Sequence, residues 1–174
     1  MSVPDAIQPV VGWRAWIAEV ATPSAAKTPA VFLCSIAFES KWWPGTALHA
    51  ACQHPSNQCE RSPGRRCRCG IYALHSAKWV LEAVGRKRRP LILGRVLLWG
   101  SVVPGARGWR AEYAYPKDLF VIEDRARSPE LLEGLQAYGV PVQLLSTREL
   151  RRQPPTVPPR PNWWTRFVAA LSDS

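Results

Sequence analysis

From Val10 to Val20 the segment Val-Val-Gly-Trp-Arg-Ala-Trp-Ile-Ala-Glu-Val alternates imperfectly between apolar and polar positions, which predicts a strand. After a loop rich in Pro, Ser and Ala, Val31 to Phe38 predicts a second strand, paired with the first as a hairpin or lying beside it. Lys41-Trp-Trp-Pro-Gly45 reads as a turn, and Thr46 to Cys52 is ambiguous, admitting a short helix that begins after Thr46. Ile71-Tyr-Ala73 reads as a strand. A helix follows, with Ser76 as its cap, Trp79, Val80, Ala83 and Val84 on its apolar face and Gly85 as its stop.

The strongest strand signal is Leu91 to Val103, where Gly94 and Gly100 permit bends of the kind found at the corners of small barrels. Pro104 to Gly108 turns the chain into Trp109 to Tyr115, so residues 91–115 predict a long hairpin. After the apolar run Leu119 to Ile122, Ser128-Pro-Glu130 opens a helix lined by Leu131, Leu132, Leu135 and Tyr138 and stopped by Gly139. Val140 to Leu145 returns as a strand, and Ser146-Thr-Arg-Glu149 forms a capping box for a short helix. Gln153 to Pro161 is an extended proline-rich linker before a final helix capped by Asn162. The tetrapeptide Gly12-Trp-Arg-Ala15 recurs as Gly108-Trp-Arg-Ala111 without matching flanks, which predicts two strands in similar surroundings and not a repeat architecture.

These elements predict an α+β fold: a β-rich, small curved sheet or barrel with a metal-stapled loop and peripheral helices. The expected organisation is a core domain over 8–125, a helix-strand-helix extension packed on it over 126–153, and a linker with an aromatic C-terminal helix over 154–174. At 174 residues the chain suits one domain with extensions. It contains no run of about 18 apolar residues, and Met1 to Ala6 lacks a basic leader, so the expectation is a cytoplasmic protein without a transmembrane segment.

The formal charge of +10 points to a polyanionic partner, although charge alone does not choose between nucleic acid and an acidic membrane. Arginine outnumbers lysine 18 to 5, a bias that GC-rich coding also produces. Arginine nevertheless brings a planar fork that grips phosphate and stacks on bases. Nine tryptophans cannot all be buried cheaply, because each indole N–H needs a partner.

Cys52, Cys59, Cys67 and Cys69 fall within 18 residues, with His49, His54 and His75 nearby. In a reducing compartment such thiols favour a shared structural zinc over disulfides, and the intervening Pro, Ser, Asn, Gly and Arg residues have no apolar side chains to fold around. The spacing departs from paired two-residue gaps, so unbound thiols and redox or catalytic thiols remain alternatives, and His54 is the substitute ligand should Cys59 not bind. Cys34, in an apolar strand, reads as core, and His75 as a surface residue. No nucleophile elbow, phosphate-binding glycine loop, dinucleotide fingerprint or His-Glu zinc helix is present, so no catalytic residue is assigned and the balance leans away from an enzyme.

Between Glu60 and Pro90 nine cations face two acids. Arg61, Arg65, Arg66 and Arg68 on the loop, with Arg86, Lys87, Arg88 and Arg89 after the helix, are the candidate phosphate contacts. Trp99 and Trp109 are the candidate stacking residues. A solvated loop and helix end is the plainer reading of the same charges. In the tail, Pro155-Thr-Val-Pro-Pro-Arg160 is a spacer or an SH3-type ligand, and Trp163, Trp164 and Phe167 form an aromatic stripe for docking in cis, on a protein partner or at a membrane interface.

The set Trp43-Pro-Gly45, Cys52, Cys67-Arg-Cys-Gly-Ile-Tyr-Ala73, Gly94-Arg-Val96, Trp99-Gly100 and Gly108-Trp-Arg-Ala-Glu112 resembles a family of short bacterial proteins, chiefly actinobacterial and phage-borne. The resemblance spans roughly residues 10–122 and implies no activity. In such relatives a histidine stands where Cys59 does, which keeps zinc compatible. A fold-level likeness to PUA-like pseudo-barrels, which read RNA or modified bases, comes from the bent strand 91–103 and the aromatics, and fold does not determine function. The expected function is therefore zinc-stabilised nucleic-acid binding, RNA or DNA, with a protein-interaction adaptor docking through its tail as the alternative.

Overall fold

The computed structural model describes residues 9–21, 30–37, 40–53, 59–64, 66–85, 91–123 and 129–156, and these form an α+β fold built on one eight-stranded sheet. Strands β1 (Val10–Ala21), β2 (Ala30–Ser35), β3 (Lys41–Trp42), β4 (Leu48–His49) and β5 (Ile71–Leu74) precede helix α1 (Ala77–Val84). The long strands β6 (Leu91–Pro104) and β7 (Gly108–Ile122) follow, then α2 (Pro129–Leu135), a 3₁₀ turn over Gln136–Tyr138, β8 (Val142–Leu145) and α3 (Thr147–Arg152).

The sheet curves back on itself. β1 pairs antiparallel with β6, β6 with β7, β7 with β5, and β5 with β1 through Trp13 opposite Leu74, so four strands close a ring. The register slips between Arg95 and Val96 and between Trp99 and Val102, beside Gly94 and Gly100, where the sequence predicts bends. The remaining strands extend the ring: β2 and β3 beyond β1, β4 on β7, and β8 parallel to β7.

Both faces of the sheet are covered, which accounts for the uninterrupted apolar runs in β6 and β7. On one face Trp16, Ile92, Val96, Leu119 and Val121 pack with Leu33, Trp42 and the α2 residues Leu131 and Leu135. On the other, Trp13, Leu91, Leu93, Phe120 and Ile122 pack with Ala77 and Val80 of α1 and Leu150 of α3. Tyr138 fastens α2 to the first face, its hydroxyl accepting from the Leu33 N–H at 2.9 Å and donating to the Trp42 carbonyl at 2.6 Å.

The helix signals hold locally. The Ser76 hydroxyl accepts from the Trp79 N–H, Gly85 ends α1, and Ser146 with Glu149 forms the complete capping box of α3. Four local expectations need correction. The chain at 41–45 is not all turn, because Lys41 and Trp42 pair with Cys34 and Leu33 to make β3. No helix follows Thr46: Leu48 and His49 pair with Ala114 and Tyr113 as β4, and the ladder hydrogen bonds offered by β7 prevail over a weak local helix preference. Residues 119–122 continue β7 without a break. On α1, Ala83 is exposed, whereas Leu81 packs beside Val80 and Val84. Ser128, Asn162 and the stretch 157–161 lie outside the described residues. Among the described residues no helix is long and apolar enough to cross a membrane.

The recurring Gly-Trp-Arg-Ala tetrapeptide has a geometric basis. Its two copies lie on β1 and β7, the strands that flank β5. A Cβ at Gly12 would come within 2.6 Å of the Ala73 Cβ, and one at Gly108 within 2.0 Å of the Ala73 carbonyl oxygen, so both strands approach β5 closely only because neither position has a side chain.

The ring is also tied by charge. Asp118 on β7 is 5% exposed and accepts from the Arg95 side chain through both carboxylate oxygens and from the Arg95 backbone N–H at 3.1 Å. Replacing Asp118 with alanine leaves these donors unpaired beside the bulge, and we expect a loss of about 3 kcal/mol in urea unfolding. Asp118→Asn, which keeps an acceptor, should cost less, whereas a loss in both variants below about 1 kcal/mol would show that the pair behaves like an exposed one.

Candidate metal centre

The four clustered cysteines come from three places. Cys52 follows β4 and is held near β7 by the Ala50 N–H, which donates to the Glu112 carbonyl at 2.7 Å. Cys67 and Cys69 lead into β5, and Cys59 sits in the intervening loop. Their four sulfur atoms lie within 4.8 Å of one another, and none of the five cysteines is in a disulfide. Cys52 and Cys67 sulfurs are 3.8 Å apart, those of Cys59 and Cys69 3.9 Å. Four thiolates bound to one ion at about 2.3 Å would form a tetrahedron with edges of about 3.8 Å. The cluster could therefore hold a metal ion.

The loop is shaped around this convergence. A Cβ at Gly64 would meet the Cys59 sulfur at 2.5 Å, so a side chain there requires that sulfur to shift. The Gly64 N–H instead donates to the Cys69 sulfur at 3.2 Å. Burial alone would raise the Cys69 thiol, but the hydrogen bond from the Gly64 N–H and those with the neighbouring thiols outweigh it and bring its pKa down to about 6. Cys59 moves the other way, to about 12, through its hydrogen bond with Cys67, then burial, then its bonds with Cys52 and Cys69. Cys34 lies apart on β2, opposite Ile17, half-buried rather than deep in the core, its thiol raised to about 11 by burial and by Glu19.

Sequence reasoning missed the residue that ties this loop to the sheet. Arg110, on β7 opposite Tyr72, donates through one terminal nitrogen to the carbonyls of Cys67 and Cys69, the latter at 2.9 Å. The matching arginine of the other tetrapeptide, Arg14, donates to the carbonyl of Tyr72. Two arginines from the flanking strands thus satisfy carbonyls from Cys67 to Tyr72, and the repeated tetrapeptide was the one signal in the chain that pointed to them.

The expected phosphate contacts divide. Arg61, Arg66 and Arg68 are exposed on the loop, and Arg66 and Arg68 line a cavity beside the cluster. Arg65, Arg86, Lys87, Arg88 and Arg89 lie outside the described residues, as do His54 and the tail residues Trp163, Trp164 and Phe167. The two tryptophans lie at separate points of the β6–β7 hairpin. Trp99 stacks on Tyr113 with centroids 6.0 Å apart, and His49 stacks on the same tyrosine at 4.7 Å. Trp109 is partly buried, packed against the core with its ring edge-on to His75 at 5.0 Å, so its position is that of a packing residue. His75 is half-buried between Trp79 and Trp109 instead of at the surface, and its buried Nε2 has no hydrogen-bond partner. No protein-family model, curated protein or solved structure matches the chain.

Two predictions follow from this geometry. Arg110→Gln should weaken metal retention about 10- to 100-fold in competition with a chromophoric chelator, because the ligand-bearing backbone loses its clamp. Unchanged affinity would reduce Arg110 to a packing residue. The second concerns pH: burial lowers the pKa of His75 from 6.5 in the folded state. Above about 6.5 His75 is neutral folded or unfolded and contributes no pH dependence; below it the unfolded chain takes up the proton first, so stability falls until pH passes the folded value. His75→Phe should remove this part of the acid limb in urea titrations, and an identical limb in the variant would assign the effect elsewhere.

Proposed function

We propose that the chain is a zinc-stabilised nucleic-acid-binding protein in which one structural ion, bound by Cys52, Cys59, Cys67 and Cys69, fixes an arginine-bearing loop against the sheet. The observation that carries this reading is the sulfur geometry, because separations of 3.8 and 3.9 Å suit one tetrahedral ion and all four donors are cysteine sulfurs, the ligand type zinc favours. Four protein ligands close the shell and leave no position for an activated water, so the ion's role is to hold the loop.

Charge supports the ligand assignment. Arg61, Arg66 and Arg68 are exposed on the loop, and among the described residues no aspartate or glutamate lines the cavity beside it. Guanidinium groups grip phosphate oxygens in pairs, and a chain with charge +10 attracts a polyanion at long range. The stack of half-buried Trp99 and Tyr113 with exposed His49 offers aromatic rings on the same sheet.

Protein purified without added metal should contain about one equivalent of zinc. Fluorescence anisotropy with short single- and double-stranded oligonucleotides should show binding that falls steeply with salt, and the combined change Arg66→Gln and Arg68→Gln should flatten the log–log slope by about 1.5. Zinc without any oligonucleotide binding at low salt would retain the staple and remove the proposed ligand.

A further inference from the structure

The cavity beside the cysteine cluster has a volume of about 990 Å³, within the range of small-molecule sites. Its walls are partly apolar, from Leu48, Ala50 and Ile71, and its polar lining includes Arg14, Ser35 and Ser40. Arg14 comes from the sheet, whereas Arg66 and Arg68 come from the metal loop, so three cations from two parts of the fold face one space.

Arg14 is the unusual member. One of its terminal nitrogens donates to the Tyr72 carbonyl and the other to the Ser35 hydroxyl at 2.8 Å, while its guanidinium lies over the Trp42 ring at 5.1 Å. These contacts hold the group in place but do not neutralise it. Its Nε is buried with no hydrogen-bond partner, and among the described residues it makes no ion pair, in contrast to Arg95 with Asp118. Burial lowers its pKa only to about 10, so it is cationic at neutral pH. With no carboxylate among the described residues that line this partly apolar cavity, a positioned cation there is stabilised when an anion joins it.

We propose that this cavity binds a phosphate monoester, with Arg14 as its anchor, Arg66 and Arg68 as its outer cations, and the Leu48–Ala50–Ile71 wall against the apolar body that carries the phosphate. A monoester is favoured over an internal diester because it brings up to two negative charges to three cations. The space also exceeds what a bare phosphate ion fills. The monoester has two possible sources, a free organic phosphate or the terminal phosphate of a nucleic-acid strand, and the site does not depend on polymer binding along the outer face of the loop.

The test uses the full chain with its metal. Calorimetry with phenyl phosphate and with phenol, and anisotropy with one oligonucleotide carrying either a 5′-phosphate or a 5′-hydroxyl, separate the sources. We expect saturable binding of phenyl phosphate but not phenol, weakened about tenfold or more in Arg14→Gln. A preference of about tenfold for the 5′-phosphate strand assigns the terminal source, and equal binding of the two strands assigns the free one. Because Arg14 also bonds to Tyr72 and Ser35, Ala37→Phe supplies a second variant that narrows the cavity without touching Arg14, and it should weaken phenyl phosphate while leaving metal content and circular dichroism unchanged. The proposal is overturned if neither phenyl phosphate nor a 5′-phosphate gains binding over its phosphate-free counterpart, or if both variants bind as the parent does. Salt-sensitive binding of the 5′-hydroxyl strand alone would preserve the polymer reading and overturn this one.

Discussion

Four sulfur atoms confined within 4.8 Å are the constraint on which the rest of the site depends. Apart from its prolines and cysteines the segment between Cys52 and Cys69 has no apolar side chains with which to fold itself, yet its two ends are fixed by the sheet, one beside β4 and the other entering β5. A structural ion in such a position contributes about 10–16 kcal/mol, comparable with the whole net stability of a domain. With the sulfurs gathered, Gly64 fits against Cys59, Arg110 finds the carbonyls of Cys67 and Cys69, and Arg66 and Arg68 line one side of the cavity.

The sheet supplies the opposite side. Its closure through β1, β6, β7 and β5 brings Arg14 and Arg110, far apart in the chain, to carbonyls of β5 and of the segment that leads into it. The glycines of the same tetrapeptides admit β5 between β1 and β7. Each copy thus provides a close approach and a backbone-binding arginine, two local requirements shared by strands that need not derive from a repeated domain.

What could be read from the chain alone followed the range of the interaction. The ends of α1 and α3 were legible because Ser76, Gly85, Ser146 and Glu149 act within one helical turn. The gathering of the four thiols was legible because they fall in so short a segment, and β6 because its branched and apolar residues form long runs. The two-residue strands β3 and β4 were not, since pairing partners dozens of residues away decide them. Nor did the chain show that Trp109 and His75 pack on each other or that Arg14 is enclosed, because both depend on β5 lying between β1 and β7. Charge was the least specific signal: it counted the arginines correctly without distinguishing Arg110, which binds backbone, from Arg66 and Arg68, which line the cavity.

X-ray absorption at the zinc K-edge of the purified protein tests the central claim most directly. The account predicts four sulfur neighbours at about 2.3 Å and no lighter atom in the first coordination sphere. Nitrogen or oxygen neighbours at about 2.0 Å, or fewer than four sulfurs, would contradict the closed thiolate shell and free the arginine-bearing loop from its anchor.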